Sequence, residues 1–472
     1  SYISAALSSI NICSTIKVIG RDSYVRELRR AIKKPPKAIG ISATGYQIGL
    51  LLEVVRFLKN MISVPIVCGG YCSLAGEELA RASQIDVIVH GEGELTASEL
   101  FRELINGNTE KLEHIQGISF LKNGEYIRTA NRPLIDRLDT IPVPRQVQRN
   151  VRLLERIKLS RPTYFQLVSS RGCSAECTFC FINKHYGTAC VREHSTNYIR
   201  NIIRLNNKRI SRFVHFHDDD LLSRKHRLDE ISEISNDYDF LFGFETKVAN
   251  LLRYKDEILR NKDRIIKVEL GIESYHEAAL RRWRKPQNPA LCSEAINILS
   301  ENKINYQLDL IINDKETTDE EFITNMEELK RLPPNHYLYM RNNGNYHMYR
   351  VPASIIKSVR FNSMLDLYGK PEHNAHGDNY GLLRIFLISA ESILDQMGFI
   401  HKYDNISPDG KCFDYDLMNR VDSAAVLRYD TAEEICGILK STRCDEIKKD
   451  IVRQYLVGYQ QKVLEMIRRN NF

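Results

Sequence analysis

Ser169-Ser-Arg-Gly-Cys-Ser-Ala-Glu-Cys-Thr-Phe-Cys180 places three thiols four and three residues apart, on a loop that leaves an apolar run from Tyr164 to Val168. With 11 cysteines in 472 residues, this C-x3-C-x2-C spacing should arise by chance only about 0.006 times. The spacing is therefore informative: Cys173, Cys177 and Cys180 can converge on one inorganic centre. A closed structural site of zinc, or of iron and sulfide, wants four protein ligands. Only three are local here. Either Cys190 or His185 completes a zinc site, or a four-iron cluster keeps one iron open for a small molecule to ligate.

Length and composition frame that centre. The chain is long enough for about three domains, and its 43% hydrophobic content is ordinary for a globular protein. No run approaches the ~18 apolar residues of a membrane span, and no charged-then-apolar leader is present, so the expectation is a cytoplasmic protein without a membrane. The eight other cysteines, Cys13, Cys68, Cys72, Cys190, Cys292, Cys412, Cys436 and Cys444, are scattered without paired spacing. They read as buried or free thiols rather than disulfides. Net charge is +7, from 67 basic and 60 acidic residues spread along the chain, so a nucleic-acid partner is not expected.

Upstream, Ile12 to Ile19, Ala38 to Ser42, Val64 to Cys68 and Ile85 to Val89 are short β-branched runs. Between them lie helix-period stretches such as Tyr46 to Asn60 and Leu74 to Arg81, an alternation that predicts an open parallel sheet. Ligands of such sheets sit beyond the strands' carboxyl ends. Here those ends read Ala43-Thr-Gly45, Cys68-Gly-Gly-Tyr71 and His90-Gly-Glu-Gly-Glu94, which allow close backbone approach or simply tight turns. Gly117 to Ile127 predicts a hairpin turning at Asn123-Gly124, and the prolines of Ile141-Pro-Val-Pro-Arg145 mark a crossing to the next domain.

Downstream, Tyr164 to Val168, Phe213 to Phe216, Phe240 to Phe244, Lys267 to Ile272, Tyr306 to Ile312 and His336 to Met340 recur with helical spacers. Six such units predict a partial (β/α)6 barrel, with its chemistry at the strands' carboxyl ends. Those ends carry His217-Asp-Asp-Asp220, Glu245 with Lys247, and Glu269-Leu-Gly-Ile-Glu-Ser274. One aspartate could be a helix cap, and Glu245 with Lys247 a rim ion pair. Asn379 to Gln396, Thr431 to Leu439 and Asp445 to Arg468 predict a mostly helical cap, preceded by a Tyr-, Asn- and His-rich stretch from Asn335 to Tyr349.

The cysteine loop, with Phe179 just before its third thiol, resembles the signature of the radical S-adenosylmethionine (SAM) enzymes. Gly91-Glu-Gly-Glu94 after the strand at Val87 is similar to a feature of the branch with an N-terminal cobalamin-binding domain. The resemblance covers residues 1 to about 340. It implies an α/β chain in three parts: a Rossmann-like, cobalamin-binding type sheet at 1–145 whose first strand is missing or lies upstream, a radical SAM partial TIM-type barrel at 146–345, and a helical C-terminal domain at 346–472.

The site follows from the same resemblance. Cys173, Cys177 and Cys180 would hold a [4Fe-4S] cluster whose open iron is chelated by SAM, and one electron would cleave the sulfonium to a 5′-deoxyadenosyl radical. Asp218 or Asp219 would take the methionine ammonium, Glu245 a polar end of the cofactor, Glu273 and Ser274 the ribose hydroxyls, and Ile311 and Ile312 the adenine. The branch's Gly-Leu-Pro-Gly-Glu turn at that last position is replaced by Asn313-Asp-Lys-Glu316. Cobalamin would lie against Thr44, Gly69, Gly70, Tyr71, Gly91, Glu92 and Gly93, without a lower histidine ligand because no Asp-x-His-x-x-Gly is present. The implied function is cobalamin-dependent C-methylation of a small metabolite or natural-product intermediate, with flavodoxin or ferredoxin as electron donor. Two rivals remain: a cobalamin-independent dehydratase, epimerase or other rearranging enzyme, and a non-catalytic metal-binding module.

Overall fold

The computed structural model describes residues 2–19, 24–44, 47–144, 165–206, 213–304, 306–311 and 445–469, with the single positions 318, 321, 324, 325 and 328. They contain two five-stranded sheets, one of β1 to β5 and one of β6 with β9 to β12, and an antiparallel ribbon of β7 (Ser170–Arg171) and β8 (Arg192–Glu193).

In the first sheet, β1 (Ile39–Ser42), β2 (Ile66–Gly69) and β3 (Val87–Val89) are parallel neighbours. The intervening helices follow from apolar periodicity. Ile48–Met61 buries Ile48, Leu51, Val54, Val55 and Leu58, one stripe of a 3.6-residue period. Gly93–Asn106 buries Ala97, Leu100, Phe101 and Leu104 and stops at Gly107, whose φ of 79° makes the left-handed cap. The sheet is not parallel throughout: β4 (Ile118–Lys122) and β5 (Glu125–Arg128) add an antiparallel hairpin beside β3. Its two-residue turn is Asn123-Gly124, both with positive φ, as expected for a type I′ turn.

One expected strand is corrected. Residues 12–19 form no strand, and Val18 is 93% exposed while Ile12 and Ile19 pack against the core. β-branched composition favours a strand only when a neighbouring ladder takes up its amides. No such ladder faces this segment among the described residues.

The second sheet runs in the order β6 (Phe165–Leu167), β9 (Phe213–Phe216), β10 (Leu241–Lys247), β11 (Ile265–Glu273) and β12 (Tyr306–Leu310), every pair parallel. Each strand lies beside its predecessor in the sheet, which is the single winding of a barrel arc rather than the reversal of a doubly wound sheet. The expected sixth strand at His336–Met340, the helical stretches Asn379–Gln396 and Thr431–Leu439, and the connector at Arg145 lie outside the described residues. The helix Asp445–Arg469 is present. No helix of the described residues is long and apolar enough to cross a membrane.

Candidate active site

Between β6 and the cysteines the chain is held by aspartates from the end of β9. Asp218 is completely buried and accepts from the Ser169 amide (2.5 Å), the Ser169 hydroxyl (2.6 Å) and the Ser170 amide (2.5 Å). Burial raises its pKa against those bonds. Asp219 accepts from the Gly172 amide at 2.8 Å. Asp220 faces the other way, accepting from Thr246 (2.9 Å) and Asn250 (2.7 Å) and pairing with Lys247 at 3.1 Å. Lys247 Nζ also donates to the Ser174 hydroxyl at 3.0 Å, which ties β10 to the cysteine loop. Three adjacent carboxylates therefore have three different partners.

Gly172 has φ 91°, and a Cβ there would lie 2.0 Å from the Cys190 carbonyl oxygen, so only glycine fits. Beyond it the loop wraps onto the helix Glu277–Arg282. The Thr178 amide donates to the Trp283 carbonyl (2.9 Å), and Phe179, 2% exposed, meets the Trp283 ring edge-on at 5.9 Å. Phe179, Ala279, Trp283 and Ile311 form a small apolar cluster against which Cys177 and Cys180 pack. Burial pushes the Cys177 thiol up, while Lys285 and Lys247 favour its thiolate.

Groups of three ligand atoms lying within 4.8 Å of one another occur twice among the described residues, and the three cysteines are not one of them. His185, one expected fourth zinc ligand, instead meets the rings of Tyr71 and Tyr186 edge-on.

On β11, Glu273 adopts a φ of 64° and turns its carboxylate to Lys285 at 3.0 Å, while Lys285 lies 5.9 Å over the Phe179 ring. A Cβ at Gly271 would come within 2.9 Å of both groups, so that glycine leaves the room in which they meet. Ser274 is buried, its hydroxyl donating to Asn325 (3.1 Å) and accepting from the His276 amide (3.0 Å). Ile311 is 1% exposed and its amide donates to the Glu273 carbonyl. Ile312 lies outside the described residues. Glu245 Oε1 is 3.2 Å from His217 Nδ1.

The carboxyl ends of the first sheet face this loop. Tyr71 packs on Phe181 (4.3 Å between centroids) and His185 (4.7 Å), both just beyond Cys180. Gly70 and Gly91 both have positive φ, and a Cβ at Gly70 would be 2.8 Å from the Ala43 carbonyl oxygen. Thr44 Oγ1 and His185 Nδ1 are buried there without a hydrogen-bond partner among the described residues. Burial also lowers the His185 pKa to about 4. Gly69 lies against Val89, and a Cβ at Gly93 would meet Ile3 at 2.9 Å.

Glu92 makes a different contact from the glycines around it. It pairs with Arg171 (2.8 Å) and Arg192 (2.9 Å) and accepts from the Ile135 amide (2.7 Å); Glu94 pairs with Arg171 at 2.6 Å. Burial raises the Glu92 pKa, but these donors outweigh it and hold the carboxyl below its usual range. Lys247, read from the sequence as a rim partner of Glu245, pairs instead with Asp220, while Glu245 meets His217; Arg171, Arg192 and Lys285 were not singled out as partners from the sequence, and of these only Arg171, inside the cysteine motif itself, carried a signal.

Known proteins fit this geometry. Residues 167–329 match the Radical SAM superfamily. An uncharacterized methyltransferase of Pyrococcus horikoshii is 30% identical over 190 residues, 39% of this chain and 40% of the relative. An anaerobic magnesium-protoporphyrin IX monomethyl ester cyclase of Synechocystis is 24% identical over 308 residues, 63% of this chain and 59% of the relative. The chain thus spans less than two thirds of either relative's length. Among solved structures, the cobalamin-dependent SAM radical enzyme OxsB, with aqua-cobalamin and SAM bound, gives a TM-score of 0.67 at 15% identity, covering 100% of this chain and 77% of that one. The radical SAM methyltransferase TsrM from Kitasatospora setae, with cobalamin and a [4Fe-4S] cluster, gives 0.56 at 14%, covering 70% and 66%. Over residues 167–329 the chain is thus similar to the radical SAM superfamily, and its fold is similar to that of the solved cobalamin-dependent radical SAM enzymes.

Proposed function

We propose that Cys173, Cys177 and Cys180 hold a [4Fe-4S] cluster that binds SAM, and that the chain is a cobalamin-dependent C-methyltransferase acting on a small metabolite. The observation that carries this reading is the cysteine loop itself. It is fixed at the mouth of a parallel arc by Asp218, Asp219 and Lys247, and it faces the glycine-rich ends of a second sheet. When bound, the cluster would supply the electron that cleaves SAM to a 5′-deoxyadenosyl radical, and cobalamin would carry the methyl group.

The protein's own part is placement. Asp218 has its oxygens filled by loop donors, so Asp219, half-buried beside Gly172, is the better candidate for the methionine ammonium. Glu273 and Ser274 end β11 beside Ile311, the expected order of ribose and adenine contacts. Thr44, Gly69, Gly70, Tyr71 and Gly91 line the opposite wall, where the buried polar atoms of Thr44 and His185 offer partners to a large ligand. Glu92 and Gly93 would serve cobalamin from behind that wall, Glu92 through Arg171 and Arg192. We take 1–145, 146–345 and 346–472 as the three working units. A low-potential donor such as flavodoxin or ferredoxin, in the cytoplasm, would supply the electron.

The test is anaerobic reconstitution with iron, sulfide and cobalamin. Wild type should hold a four-iron cluster, and the variant with all three cysteines changed to Ala should hold none. Turnover should yield S-adenosylhomocysteine and 5′-deoxyadenosine together. 5′-Deoxyadenosine alone would move the protein to the rearranging class, a possibility kept open by the cyclase relative; neither product would leave a metal-binding module.

A further inference from the structure

Barrel interiors are ordinarily filled by branched apolar side chains. Here the face of the arc that carries the cysteine loop is polar. Across β9, β10 and β11, His215, Gly243 and Lys267 are paired in one row, and Glu245 and Glu269 in the next. The alternate residues Val214, Phe216, Phe242, Phe244, Val268 and Leu270 are all fully buried on the opposite face. Lys247, two residues beyond Glu245 on the polar face, is the side chain that reaches Ser174.

Within this face the ligand atoms of His215, His217 and Glu245 lie within 4.8 Å of one another. The two imidazole centroids are 4.3 Å apart, and His217 Nδ1 is 3.2 Å from Glu245 Oε1. Behind them Glu269 lies 3.3 Å from His215 Nε2 and pairs with Lys267 at 2.5 Å. Metal-bound imidazoles commonly keep such an outer carboxylate, which orients the ring. A Cβ at Gly243 would come 2.8 Å from His215 Nδ1, so glycine gives that ring its space. The second triad, His226, Asp229 and Glu257, is a capping network: Glu257 accepts the His226 amide, and Asp229 takes Arg260 and Asn261.

We propose that His215, His217 and Glu245 form a second metal site, separate from the cysteines, for a first-row divalent cation such as zinc. Two imidazoles and one carboxylate are a donor set of zinc and non-haem iron(II) sites that leave positions open. His217 and Glu245 are 40% and 29% exposed at the side chain, so those open positions face the mouth of the arc, where an oxygen of the substrate would bind. On this reading Glu245 serves the ion rather than SAM.

The experiment counts zinc, iron and sulfide on the full chain after anaerobic reconstitution, addition of zinc chloride and gel filtration. Wild type should carry about one zinc beyond the cluster. His217→Ala and Glu245→Gln should each weaken zinc binding about tenfold or more with iron and sulfide unchanged. The triple cysteine variant should keep its zinc. No excess zinc on wild type, undiminished zinc in both single variants, or loss of zinc with the cysteines overturns the proposal. Should His217→Ala lose its cluster through misfolding, Glu245→Gln, which preserves shape, decides alone. Wild type with zinc at this site but no iron or sulfide would overturn the cluster reading and leave this one standing.

Discussion

Single residues set tolerances at this site that differ by position. Gly172 combines a φ of 91° with a carbonyl oxygen 2.0 Å from where a Cβ would sit, whereas Gly107, at 79°, has open space. Strain and overpacking together predict that Gly172→Ala costs roughly 3 kcal/mol or more and loses bound iron. Gly107→Ala should cost only about 1 kcal/mol. Denaturant midpoints and iron content check both. His194 is a second such residue, buried between the stacked rings of Tyr198 (3.9 Å) and Tyr2 (6.1 Å), with its Nδ1 3.2 Å from Asp139. Burial lowers its pKa from 6.5 to about 4, against the opposing Asp139 bond. Its folded pKa lies below the unfolded one, so its stabilisation is complete above pH 6.5 and is withdrawn as pH falls toward 4. The amount is roughly 3 kcal/mol from this group. His194→Phe, which keeps the stack, should show a shallower loss of stability between pH 6.5 and 4 than wild type. An unchanged slope would place the titration on His90 or His185, whose pKa values are also lowered to about 4.

At the scale of elements, the decisive joint is between the loop after β3 and the loop after β6. Arg171, Glu92 and Glu94 are each less than 9% exposed and connect the two sheets two residues before Cys173, the first thiol of the loop. Buried pairs often add little net stability, but leaving one partner alone is costly. Arg171→Met should therefore cost about 3–5 kcal/mol, with Glu94 stranded while Glu92 keeps Arg192. The double variant Arg171→Met/Glu94→Leu should recover part of that loss in urea denaturation. A single-variant cost under about 1 kcal/mol would mean that water reaches the joint and the pairing is weak.

For the whole molecule, the consequence is that the loops at the carboxyl ends of the two sheets are set face to face, with Tyr71 between them. Gly70 is a poor probe of cobalamin binding, because any side chain there strains its own backbone. Tyr71→Ala removes an aromatic wall without that penalty. Losing about 1.5 kcal/mol of ring contact should weaken cobalamin retention roughly tenfold, with iron and sulfide unchanged. Equal cobalamin content in variant and wild type would exclude this wall as its seat.

Much of this was legible before any coordinates. The cysteine spacing, the helix periods and the Asn123-Gly124 turn depend on neighbours within a few residues, and local chemistry is what a sequence records directly. Pairings across long separations were not legible. His217-Asp-Asp-Asp220 announced a site, yet nothing local says that Asp218 belongs to Ser169, Asp219 to Gly172 and Asp220 to Thr246. Glu92 read as part of a glycine-rich ligand loop because its partner Arg171 lies 79 residues away. Ile12 to Ile19 read as a strand because propensity does not reveal whether a neighbouring strand is there to bond it. The kinds of chemistry at the site came from composition and spacing; which groups meet was decided by the fold, since burial and partners for charge exist only once distant segments are packed together.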